Sequence, residues 1–219
     1  MDFDQVFFLP HIGKEYFISG FRGKRVLLIG ESHYTDWSVS THNLERTHTQ
    51  ECIAESVQGI RGSSFWNKVR YRLGGEEHRT KPASEFWEAV AFYNFIQSPV
   101  TGAARQRPTP TQWSDALPAF QEVLTALRPD RVWVIGRELW NHMPRREGQL
   151  KSIAVREAVI PIEWYAFEDG HKAFVTSTAH PASSHFYRSL ETALQQFVDQ
   201  DWALDLSPPH VQTREPGTV

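Results

Sequence analysis

The sequence predicts an α/β fold, a three-layer α/β/α domain around a central four-stranded, mainly parallel sheet. Four short apolar runs, residues 25–30, 88–94, 131–136 and 172–178, have the unbroken character of strands buried on both faces. Helical patterns separate them, at residues 64–73, 113–127 and 189–198. Strands alternating with helices imply right-handed crossovers, which lay helices on both sides of one sheet.

The first run, Val26-Leu27-Leu28-Ile29 closed by Gly30, carries the clearest strand signal. In the 113–127 helix, Leu117, Phe120, Val123, Leu124 and Leu127 recur at spacings that build one apolar face. Residues 160–167 are expected to add an edge strand. The 219 residues favour one domain, placed at 1–206, with 207–219 as a flexible tail carrying three prolines and little apolar content.

Composition excludes several classes. With 26 acidic against 23 basic side chains the net charge is −3, so bulk charge does not coat nucleic acid and any DNA contact must be a local basic rim. The one cysteine, Cys52, excludes an internal disulfide and is too few for a four-cysteine iron-sulfur cluster. The first residues, Met1-Asp2-Phe3-Asp4, lack the basic start of a signal peptide, and no apolar run approaches the roughly 18 residues of a membrane span. The expectation is a cytoplasmic monomer with no membrane partner.

In open sheets, ligands bind beyond the carboxyl ends of the strands. Those ends carry Glu31, Asn94 and His180, each of which alone reads as a turn-capping or buried residue. Their convergence on one sheet edge favours chemistry.

Gly30-Glu31-Ser32-His33-Tyr34 after the first strand, Asn94 closing the second and His180-Pro181-Ala182-Ser183 after the last resemble the uracil-DNA glycosylase superfamily. There the first motif reads Gly-Gln-Asp-Pro-Tyr in one branch and Gly-Glu-x-Pro-Gly in another, and the last reads His-Pro-Ser. Gly136 with Leu139-Trp140 is similar to the family's third strand and helix, so the likeness spans roughly residues 20–200. The chain departs from both branches. Ser32 stands where the uracil-specific branch has its water-activating Asp, His33 replaces the following Pro, and the cluster usual in the other branch lacks its cysteines.

The resemblance implies a monofunctional DNA glycosylase that hydrolyses the N-glycosidic bond of a flipped-out base and leaves an abasic site. Glu31 would stabilise positive charge on the sugar and orient the attacking water, His180 would donate to the departing base, and Asn94 would read its pairing edge. Ser32, His33 and Tyr34 would line the base pocket, with Tyr34 rejecting bulky 5-substituents. Phe65, or Trp37 in its place, would stack on the base. Ser183, Ser184 and His185, with Arg105 and Arg107, would contact the DNA backbone, and Phe186 and Tyr187 fall where the family inserts a wedge. No lysine stands in the motifs to form a Schiff base. Neither cofactor nor metal is expected.

The target base stays open among uracil, a deaminated purine and a modified cytosine of phage DNA, the last implying antiviral defence. A DNA-binding domain of the same fold without activity is a further alternative. Other enzymes fit less well. A lipase-like reading with Ser32 as nucleophile finds Ser177 where an Asp should precede the histidine, and no phosphate loop follows Gly30. His33, His42, His48 and Cys52 match no closed zinc pattern in their spacing.

Overall fold

Val26–Gly30 (β2) lies at the heart of a sheet because its side chains alternate between two apolar surroundings. Val26 and Leu28 enter one buried cluster, Leu27 and Ile29 the other. The computed structural model describes residues 2–35, 44–60, 64–101, 106–181 and 188–202. Within it a mixed seven-stranded sheet runs in the order β1-β4-β2-β6-β9-β8-β7. The strands are β1 (His11–Ile12), β2, β4 (Ala91–Asn94), β6 (Arg131–Ile135), β7 (Gly148–Val155), β8 (Ala158–Ala166) and β9 (Lys172–Thr178). A separate parallel pair joins β3 (Tyr34–Thr35) to β5 (Val100–Thr101).

The helices are α1 (His48–Val57), α2 (Ser64–Gly74), α3 (Glu77–Thr80), α4 (Ala83–Ala89), α5 (Pro110–Leu127), α6 (Arg137–His142) and α7 (Arg188–Asp199). On one face of the sheet, α1, α2, α4 and α7 contribute Ile53, Trp66, Val69, Phe86, Leu194 and Phe197 to the core. On the other face α5 supplies Trp113, Ala116, Phe120, Val123 and Leu127, and α6 supplies Leu139. None of the helices described is long and apolar enough to cross a membrane.

The expected four-stranded sheet is corrected to seven strands. β4, β2, β6 and β9 are mutually parallel, while β1 and the β7–β8 hairpin extend the sheet antiparallel. β1 is too short to signal itself, and β7 interleaves polar Gln149, Lys151 and Ser152 with its apolar positions. The strand expected at the edge over 160–167 is β8, which lies between β9 and β7, so β7 is the edge. Residues 88–90 are not strand. α4 follows Pro82 and runs to Ala89, because a short apolar run such as Phe86-Trp87 fits a buried helix as well as a strand. α5 begins at Pro110, where a Thr109–Gln112 capping box and a proline in the first turn fix its start.

Candidate active site

Beyond the carboxyl ends of β2 and β4 the two chains stay zipped together. Phe95 N–H donates to Gly30 O at 3.0 Å, Ile96 N–H to Glu31 O at 2.9 Å and Val100 N–H to His33 O at 3.0 Å, before β3 pairs with β5. The backbone that carries Glu31 is thereby held as an extension of the sheet. Gly30 and Asn94 are register partners, and a Cβ on Gly30 would lie 2.3 Å from Asn94 Oδ1. Only glycine lets the asparagine side chain lie across β2 here.

Glu31 points into the crevice with its side chain 11% exposed. Arg107 Nη1 donates to Oε2 at 2.9 Å and to Oε1 at 3.1 Å, and the Tyr34 hydroxyl donates to Oε1 at 3.0 Å. Burial, and then the neighbouring Glu31 charge, push the Tyr34 phenol above its ordinary pKa, so it stays a donor. Ser32 Oγ is buried close to the Tyr34 phenol and has no partner in hydrogen-bonding geometry among the described residues.

From β9 the turn Ala179-His180-Pro181 brings His180 to the same crevice. Its ring stacks on Phe65 of α2, with centroids 5.4 Å apart and planes inclined by 20°. Partial burial of this ring, seconded by the Arg107 and Lys68 charges, holds the imidazole below its ordinary pKa against the opposing pull of Glu31. His180 is therefore neutral near pH 7. Lys68, also on α2, donates its Nζ proton to Pro181 O at 3.3 Å.

Asn94 and His33 lie deeper. They are 5% and 6% exposed, and Asn94 Nδ2 sits 3.0 Å from His33 Nε2 and 3.3 Å from Nδ1. His33 Nε2 is also 2.8 Å from Thr49 Oγ1 on α1, and Gln97 Nε2 donates to Asn94 O at 2.7 Å. The asparagine amide and the imidazole thus meet each other beneath the crevice. Beside them, one nitrogen or sulfur atom from each of His33, His48 and Cys52 lies within 4.8 Å of the others.

Glu31, Tyr34, Phe65, Arg107 and His180 thus cluster through these contacts beyond the carboxyl ends of the strands, with Asn94 and His33 buried beside them. Arg107, expected on the DNA backbone, contacts the candidate catalytic carboxylate. Arg105, Ser183, Ser184, His185, Trp37, Phe186 and Tyr187 lie outside the described residues, as do His42 and the tail 207–219. Sequence reasoning missed Lys68 and Thr49, and weighed His48 only as a metal ligand of unmatched spacing. The signal that pairs His48 with Cys52 is their separation of one helical turn.

No protein-family model matches the chain, and no curated protein matches it either.

Proposed function

We propose that the chain is a monofunctional DNA glycosylase, acting as a cytoplasmic monomer on a base flipped out of DNA. The observation that carries the reading is the approach of Glu31 and His180, from the ends of β2 and β9, close enough for the Glu31 charge to act on the His180 ring. Hydrolysis of an N-glycosidic bond develops positive charge on the sugar and negative charge on the base. A carboxylate and a neutral donor on opposite sides of the bond match that polarity. Glu31 holds water and the sugar cation, the water hydroxyl bonds to the anomeric carbon as its proton passes to the Glu31 carboxylate, and the bonding electrons leave with the base. His180 donates a hydrogen bond to the base carbonyl as its charge grows.

Three rearrangements accompany binding in this reading. Arg107 leaves Glu31 for a DNA phosphate, which frees the carboxylate for water. The flipped base takes over the face of Phe65 that His180 covers. Asn94 reads the base edge only after its contact with His33 loosens, so base recognition and the floor of the crevice are coupled.

The test is incubation with DNA containing uracil, hypoxanthine, hydroxymethylcytosine or glucosylated hydroxymethylcytosine, followed by scoring of abasic sites. Release of one base supports the reading and names the substrate. An intact fold that releases none of them favours a DNA-binding domain without chemistry.

A further inference from the structure

We propose that His33, His48 and Cys52 form a binding site for a divalent transition metal of the zinc type, on the inner side of the crevice. His48 and Cys52 sit four residues apart on α1 and so share one face of that helix, while His33 comes from the chain leaving β2. One ligand atom from each of the three lies within 4.8 Å of the others. Cys52 Sγ and His48 Nε2 are 3.6 Å apart. Zinc–nitrogen and zinc–sulfur bonds of about 2.0 and 2.3 Å put tetrahedral ligands roughly 3.5 Å from each other. That edge already has the required length, and a closure of up to about 1.5 Å elsewhere completes the set.

The surroundings suit a metal. Cys52 and His33 are buried, the His48 side chain is 19% exposed, and the Phe8 ring packs against both imidazoles. Outer contacts orient both rings: Thr49 Oγ1 holds His33 Nε2, so that His33 would ligate through Nδ1 once Asn94 Nδ2, 3.3 Å from it, gives way, and the Glu51 carboxylate lies 3.9 Å from His48 Nδ1, across the ring from Cys52. Two imidazoles and a thiolate favour zinc-like ions over magnesium or calcium, which require oxygen ligands. Binding takes the metal from water, releases the Cys52 proton to solvent and leaves both imidazoles neutral, so affinity rises with pH.

A metal here ties α1 to the β2 exit and, through the His33–Asn94 contact, to the end of β4. It braces the floor of the crevice. The inference does not depend on the glycosylase reading, since its evidence is the ligand set alone.

The test is titration of the full chain, freed of metal by a chelator, with Co²⁺ as the probe. Saturation at one equivalent with a near-ultraviolet thiolate-to-cobalt charge-transfer band, bleached by Zn²⁺ and untouched by Mg²⁺, is the expected result. Cys52→Ser abolishes the band while circular dichroism stays native. If that variant does not fold, His48→Gln serves instead and weakens Co²⁺ binding more than about tenfold. A wild-type chain without a stoichiometric band, a band that survives Cys52→Ser, or unchanged affinity in His48→Gln overturns the site.

Discussion

Arg107 and Glu31 form an ion pair in which Nη1 reaches both carboxylate oxygens, at 2.9 and 3.1 Å, yet the arginine side chain remains 63% exposed. An exposed guanidinium holding a partly buried carboxylate is a contact that an incoming phosphate can exchange. Such a pair contributes under about 1 kcal/mol to stability. Arg107→Ala should therefore leave the thermal midpoint nearly unchanged while lowering the slope of log affinity for DNA against log salt by about one. An unchanged slope would mean that Arg107 stays on Glu31 when DNA binds.

His180 should work as a neutral donor. Its folded pKa is depressed chiefly by partial burial, so the folded chain resists protonation that the unfolded chain accepts. The sign follows: this histidine's contribution to stability is complete above its unfolded pKa of about 6.5 and declines as pH falls below it. Single-turnover base release should accordingly not fall as pH rises from about 7 to about 8.5, as it would if an imidazolium were required. His180→Ala should slow the step about 10²–10³-fold.

Gly30→Ala tests the close approach on which the floor depends. The new methyl would meet Asn94 Oδ1 at 2.3 Å and Phe92 Cζ at 2.8 Å. Forcing atoms into such space costs about 1–3 kcal/mol, to be read by urea denaturation. Since the asparagine must move, base release should suffer more than stability does. A variant of native stability and activity would show that β2 and Asn94 separate freely.

Lys68 bears on the monofunctional assignment. Its amine donates to Pro181 O beside His180, near enough to the crevice to raise the question of a Schiff base. Borohydride should trap no covalent complex with substrate DNA. A complex that forms, and that Lys68→Ala abolishes, would make the enzyme a lyase as well.

What the sequence revealed follows from how strongly each residue's neighbours constrain it. β2, β6 and β9 are continuous apolar runs, and burial on both faces leaves few other uses for them. β7 was illegible because an edge strand carries polar residues, and the strand expected over 88–94 starts only at Ala91 because residues 88–90 close α4 and its cap. Within the crevice, Glu31, Asn94 and His180 could be named from their places at strand ends. Pairings distant in sequence could not. Arg107 stands 76 residues from Glu31 and Phe65 lies on a different element from His180, so nothing local announces their contacts. His33 is expected in the base pocket from the motif it belongs to, and that motif does not announce its contacts with the hydroxyl of Thr49 and the amide of Asn94.

The role of Glu31 is the central claim, and Glu31→Gln measures it most directly. The substitution keeps the shape of the side chain and removes its charge. With saturating DNA and a base that the wild-type chain releases, single-turnover abasic-site formation should fall about 10²–10⁴-fold in the variant while DNA affinity changes little. Base release at the wild-type rate by Glu31→Gln would contradict the account.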